Sequence, residues 1–311
     1  MELGISDVER ILEYAKKIGI HAINLTGGDP LAHSNFWDIL DLCKKYEITV
    51  DLSTKKILTQ YDIKKISDYS DRIQSFQFSI DSLYEEEAQK LVVPSCVKQV
   101  LDSMEQLIYA VGDRIKVKVN SVITAYNIGH LLDLSDVLFK MGVAEHGLSP
   151  YIFNLCTNDE HFFPTYEEYE NLRRKITAYK HKEKLAYPIS LGREEGKLDY
   201  ALCTAGTEAL IVNYDGEVYV CERFCANKDF SVGNIHENTL VEIWNSDRIK
   251  QFSYPSRRRF KGTECEKCED FDYCIRERGI CYVHSYILGG SMYSPDYFCK
   301  FREKLNMFRI Y

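Results

Sequence analysis

His21-Ala22-Ile23-Asn24-Leu25-Thr26-Gly27-Gly28-Asp29-Pro30 is the stretch on which the fold turns. Its first five residues read as a short strand, and two glycines, an aspartate and a proline then stop it. Upstream, Ile5, Val8, Ile11, Leu12, Ala15 and Ile18 recur at helical spacing, so a helix over 5–18 precedes the strand. Ser6 or Asp7 is placed to cap its start, and Gly19 to end it. Downstream the alternation repeats. Helices are expected at about 35–46, 60–69, 95–110 and 128–141, and strands at 48–52, 73–80, 115–123 and 143–149. Strands separated by helices pair in parallel through right-handed crossovers. Five such strands are too few for a closed eight-stranded barrel, so the expectation is an α/β partial barrel or open sheet. Its ligand loops lie at the C-terminal strand ends.

A charged helix over 165–182 acts as a bridge, and the character of the chain changes near residue 199. Segments 209–214 and 217–220 flank Asp215-Gly216, a hairpin pattern. A short helix at 239–245 and a last one at about 296–307 complete the reading.

With 311 residues the chain holds one large domain or two smaller ones. A formal charge of −8 argues against nucleic-acid binding by bulk electrostatics. Arg257-Arg258-Arg259 with Lys261 is a local exception, read as a solvated loop. No apolar stretch reaches the roughly 18–20 residues that span a bilayer. The start, MELGISDVER, has neither the basic end nor the apolar core of a signal peptide. A cytoplasmic protein with no nucleic-acid or membrane partner is expected.

Eleven cysteines then need a reason, and structural disulfides are not expected in the cytosol. Cys43, Cys96 and Cys156 are scattered and read as small buried hydrophobes. The other eight crowd together: Cys203-x17-Cys221-x3-Cys225, then Cys265-x2-Cys268-x5-Cys274-x6-Cys281-x17-Cys299. Eight thiolates make two sets of four, the usual number for an iron–sulfur cluster. Two structural zinc sites would use the same residue types, though usually with two Cys-x2-Cys knuckles, where this chain has one. Spacing alone favours iron–sulfur over zinc, and either over unligated thiols.

Two parts of the chain resemble radical S-adenosylmethionine (AdoMet) enzymes that carry a C-terminal SPASM domain. Leu25-Thr26-Gly27-Gly28-Asp29-Pro30 is similar to the GGEP loop of that family, with Asp29 in place of the commoner Glu. The cysteine segment follows the SPASM order: a cysteine, Gly216-x4-Cys221, the Cys-x2-Cys-x5-Cys run, then two more. Val232-Gly233-Asn234-Ile235 and Leu240-Val241-Glu242-Ile243-Trp244 also look like that domain. The resemblance implies a radical AdoMet partial barrel, first strand missing, over 1–198 with its bridging helix. A small α+β SPASM domain over 199–311 would bind two auxiliary [4Fe-4S] clusters. The first would use Cys203, Cys221 and Cys281, with Cys225 as fourth ligand, and the second Cys265, Cys268, Cys274 and Cys299. The chain departs from the family in having six residues between Cys274 and Cys281 where three are usual. Cys225 is not a fixed family position.

The same resemblance places AdoMet against Gly27, Gly28, Asp29 and Pro30, with Ser79 and Asn120 meeting it from strand ends. For each of these two the alternative is simply a polar strand end. Lys90 is the substitute for an arginine the family often carries past the serine. Glu222, directly after Cys221, occupies the place where some relatives have a catalytic base; the alternative is a surface carboxylate. The implied chemistry is hydrogen abstraction by a 5′-deoxyadenosyl radical. A peptide or protein would be the substrate, flavodoxin or ferredoxin the electron donor, and the auxiliary clusters would relay electrons or bind substrate. The family's Cys-x3-Cys-x2-Cys motif, which holds a third [4Fe-4S] cluster, does not occur here: the first cysteine is Cys43, beyond the GGDP loop. The expectation is an incomplete N-terminus rather than a degenerate protein, and no reductive AdoMet cleavage by this chain. A non-enzymatic electron-transfer or scaffold protein, and a zinc-bearing interaction module, are the competing classes.

Overall fold

Among the described residues, six parallel strands stand side by side in strict chain order: β1 (Ala22–Leu25), β2 (Thr49–Thr54), β3 (Ile73–Ser79), β4 (Lys116–Ile123), β5 (Glu145–Pro150) and β6 (Leu185–Ala186). The computed structural model describes residues 2–91, 96–151, 160–186, 205–225, 227–278, 280–296 and 299. Helix α1 (Ile5–Lys17) leads into β1. The crossovers carry α2 (Phe36–Lys45), α3 (Gln60–Asp68), α4 (Glu85–Leu91), α5 (Val97–Val111), α6 (Leu131–Lys140) and α7 (Tyr166–Thr177). This is the partial-barrel α/β architecture expected from the alternation. The strand count rises from five to six because β6 is two residues long, too short for any period to mark. Helix α4 was also unmarked: Glu85, Glu86 and Glu87 fill its first turn, so it shows no apolar stripe.

Local chemistry explains the element ends. Thr59 and Thr165 close capping boxes with Asp62 and Glu168, satisfying amide donors at the starts of α3 and α7. Helix α1 is a correction: it begins at Ile5 behind an N-cap Gly4 with no side-chain cap. Ser6 and Asp7 lie inside its first turn, and Asp7 pairs instead with Arg10 at 3.0 Å.

The two faces of the sheet differ. Leu52, Phe76 and Val117 form one row across β2, β3 and β4, and Phe78 and Val119 another; all are buried. At the far end Ile123 and Leu148 pack with Ile128, Leu131, Tyr169, Leu172 and Ile176 of the α6 and α7 region. Side chains alternate along a strand, so the opposite face carries Asp51, Ser53, Gln77, Ser79, Lys118, Asn120, Glu145 and Ser149. These are polar and only part-buried. This face is therefore polar and half-open, where the other is packed as core.

Two compact units make up the chain. One runs through Gly4–Tyr151 and resumes at His161; the other holds the described residues from 205 onward. In the second, β7 (Ile211–Val212) and β8 (Glu217–Tyr219) form the antiparallel hairpin expected around Asp215-Gly216, and β9 (Gly233–Asn234) adds to β8. The short helix Leu240–Trp244 follows a capping box from Thr239 and Glu242. Aromatic rings fill this unit's core: Phe224 stacks on Phe230 at 4.2 Å, and Phe260 meets Phe271 and Tyr293 edge-on. The helix expected at 296–307 falls almost wholly outside the described residues.

Of the scattered cysteines, Cys43 is buried in α2, and burial pushes its thiol up to about 12. Cys96 is a correction: it is exposed, because it occupies the N-cap of α5 rather than the helix's apolar stripe. Cys156 lies outside the described residues.

His146 of β5 is fully buried, with Nε2 2.7 Å from Ser121 Oγ and Nδ1 2.8 Å from Ser135 Oγ. Burial lowers its pKa from 6.5 to about 4. The unfolded chain therefore binds a proton between these values that the folded chain refuses, and stability rises with pH across that window. The contribution is full above pH 6.5 and is lost as pH falls toward 4, up to about 3 kcal/mol. Denaturant midpoints measured from pH 7.5 to 4.5 should show this slope, and His146→Gln should flatten it.

Candidate functional site

Parallel pairing brings the C-terminal ends of β1 to β5 to one edge of the sheet, and the residues singled out for AdoMet lie along it. Gly27 leaves β1 with φ +123°, a conformation that favours glycine. A Cβ built on Gly27 or Gly28 would meet no protein atom within 4 Å, so the loop borders open space. The Asp29 carboxylate is engaged by protein donors. Oδ2 accepts from Thr54 Oγ1 at 2.7 Å and the Lys55 amide at 2.9 Å, and Oδ1 from the Leu31 amide at 3.1 Å. It thus ties the GGDP loop to the end of β2. Pro30 is buried as the first residue of the turn Pro30–Ala32.

Ser79 and Asn120 are register partners on β3 and β4, and Asn120 is in turn paired with Gly147 on β5. Asn120 Oδ1 accepts from Ser149 Oγ at 2.9 Å. A Cβ on Gly147 would stand 2.7 Å from Asn120 Oδ1, so glycine there is what lets the amide lie across β5. The structure therefore brings Ser79 and Asn120 together. It also adds Gly147 and Ser149, which sequence reading missed because neither belongs to a motif.

Further along the edge, Asp81 accepts from the Val122 amide at 2.7 Å. Burial raises its pKa, while the Val122 bond and the Lys55 charge pull it down. Lys90, from α4, lies 5.3 Å from the Tyr126 ring centroid. Tyr126 meets Phe162 edge-on, and Tyr151 stacks on Phe162 at 5.2 Å. This aromatic wall follows the ends of β4 and β5. Its only trace in the sequence is one tyrosine just beyond each strand.

In the second unit Cys299, Cys268 and Cys274 lie within electrostatic reach of Cys265, and Cys221 within reach of Cys225. The Cys265 thiol is pushed up to about 12 by burial, then by Cys299, Cys268, Cys274 and Asp296 in that order. Cys225 is pushed up to about 11 by burial, then by Cys221, Glu222 and Asp215. Asp296, itself buried, also accepts from the Cys281 amide at 3.2 Å. Glu222 is exposed. Cys203 lies outside the described residues. Among the described residues, no three His, Cys, Asp or Glu side chains converge where a single metal ion would sit. Cys265, Cys268, Cys274 and Cys299 supply four thiols, the donor type and number that a [4Fe-4S] cluster takes, and the open space beside Gly27 and Gly28 suits a ligand laid against backbone.

Comparison with known proteins agrees with this geometry. The Radical SAM superfamily profile matches residues 2–134, and the SPASM profile, an iron–sulfur cluster-binding domain, matches 203–269. The mycofactocin maturase MftC of Mycolicibacterium smegmatis is 23% identical over 96% of this chain and 75% of its own length. The GTP 3′,8-cyclase of Aquifex aeolicus is 27% identical over 79% of this chain and 80% of its own. Among solved structures, Streptococcus suis SuiB bound to S-adenosylmethionine superposes with a TM-score of 0.74. That alignment covers 95% of this chain and 70% of SuiB at 18% identity, and it shows a shared fold. The chain thus carries a radical SAM region over 2–134 and a SPASM region over 203–269. AdoMet and [4Fe-4S] clusters are the cofactors those two domains imply.

Gly147→Ala should destabilise the first unit by about 1–3 kcal/mol, since the added methyl must displace Asn120 or bend β5. Thermal denaturation checks this; an unchanged midpoint would mean that the amide moves aside freely.

Proposed function

We propose that the chain, when a Cys-x3-Cys-x2-Cys segment accompanies it, modifies a ribosomally made peptide by radical chemistry. The observation that carries this reading is the reach of the match to mycofactocin maturase: it runs through 96% of the chain, while the match to the GTP cyclase takes in 79%. A SuiB structure bound to its precursor peptide SuiA supports the same substrate class. Hydrogen abstraction by the 5′-deoxyadenosyl radical is the chemistry that the family's cofactors supply.

This chain's residues take the following parts. Gly27 and Gly28 offer backbone to the methionine end of AdoMet, Asp29 fixes that loop to β2, and Pro30 anchors it. Ser79 and Asn120 present polar groups from the adjoining strand ends. Cys265, Cys268, Cys274 and Cys299 would hold one auxiliary cluster. Cys203, Cys221 and Cys281, with Cys225, would hold the other. Glu222, exposed beside Cys221, would accept a proton from the peptide. The working division is 1–198 for the AdoMet core and 199–311 for the cluster domain. A third [4Fe-4S] cluster enters this reading only where a Cys-x3-Cys-x2-Cys segment accompanies the chain. Flavodoxin or ferredoxin would donate electrons in the cytoplasm, with no nucleic acid or membrane involved. Among the described residues no helix is long and apolar enough to cross a membrane.

Anaerobic reconstitution tests the cluster reading. About eight irons with matching sulfide are expected per chain, four per cluster. Cys268→Ser should remove about half of the iron. Two zincs with no sulfide would sink it. Asn120→Ala and Ser79→Ala should weaken AdoMet binding in equilibrium dialysis while leaving the iron count intact. Co-expression of the intact gene with a precursor peptide should change the peptide's mass, and Glu222→Gln should abolish that change with clusters and AdoMet binding retained.

A further inference from the structure

Arg257 opens the short turn Arg257–Phe260, and its side chain departs from the solvated-loop reading of the basic run. Its Nη1 donates to the carbonyl of Cys268 at 2.8 Å. The guanidinium lies over the Phe271 ring, with Cζ 4.3 Å from the centroid, and Nη2 is 3.4 Å from Asp272 Oδ2. Phe271 is buried and packs edge-on against fully buried Phe260 at 5.0 Å. Arg257 is therefore held by a ring, a carbonyl and a carboxylate at once, whereas Arg258, the next residue, is exposed.

We propose that Arg257 is a positioning residue for the cluster held by Cys265, Cys268, Cys274 and Cys299, and that it sets that cluster's reduction potential. This rests on the ligand set proposed above. Pinning the Cys268 carbonyl fixes the backbone that presents the Cys268 thiolate, as partners behind a ligand commonly do. Reduction adds a negative charge to the cluster, and a fixed cation beside it makes that addition easier. Asp272 does not cancel the cation, because its side chain is 72% exposed and screened by water. Only a guanidinium both stacks on a ring and keeps a planar fork of donors; a lysine supplies the charge alone.

The test compares the full chain, reconstituted anaerobically, with Arg257→Gln, Arg257→Lys and Arg258→Gln. Iron and sulfide counts, the rate of iron release to a chelator, and a redox titration followed by electron paramagnetic resonance are the readouts. Arg257→Gln should release iron about ten- to a hundredfold faster and titrate at a lower potential. Arg257→Lys should release iron faster at nearly the native potential, and Arg258→Gln should match the native chain in both. The proposal is overturned if Arg257→Gln and Arg258→Gln behave alike in release and potential. Should Arg257→Gln fail to fold by circular dichroism, the release rate of Arg257→Lys against Arg258→Gln decides alone. A native chain that takes up no iron and sulfide overturns the ligand set itself, and this proposal with it.

Discussion

Parallel pairing is the constraint from which the rest of the first unit follows. When every strand runs the same way, every crossover must return along the sheet, and a helix is the compact way to do so. Those helices need an apolar face to cover, which the rows through Leu52 and Phe78 provide. The same pairing delivers every loop that follows a strand to one edge. The GGDP loop, Ser79 and Asn120 are distant in sequence, yet they share that edge because the register leaves them no other place. Polar and apolar side chains thus divide the sheet between its two faces.

The second unit rests on a different balance. Its strands are two or three residues long, and its helices are short. Stacked rings such as Phe224 on Phe230 supply its apolar contacts. Cys265 sits among other thiols, and burial together with the charges of Cys299, Cys268 and Cys274 pushes its own thiol toward the neutral form. Metal binding reverses that preference, since ligands bind as thiolates. Cluster binding and the ordering of this unit are then expected to be coupled.

Much of this was legible in the sequence because periodicity and spacing are local. The alternation of strand and helix marked five of the six strands described in the parallel sheet, and the cysteine spacing marked a cluster-binding domain where the SPASM profile matches. What escaped was of two kinds. Elements with no apolar face, such as α4 with its three leading glutamates, or β6 with two residues, carry no period to read. Relations made by register across strands also left no linear trace. Gly147 matters only because Asn120 lies across it, and Arg257 only because the chain turns it back onto Phe271 and Cys268. Its place in a basic run argued for solvent, and tertiary packing prevailed.

Asp29 is the link by which the GGDP loop is held to β2. Its carboxylate meets three donors, at Leu31, Thr54 and Lys55, that are spaced for a short side chain. Glutamate would carry the same carboxylate about 1.5 Å farther from the backbone. A glutamate at residue 29 would then push the loop off β2. The length of one side chain thus sets how closely the GGDP loop lies against the end of β2.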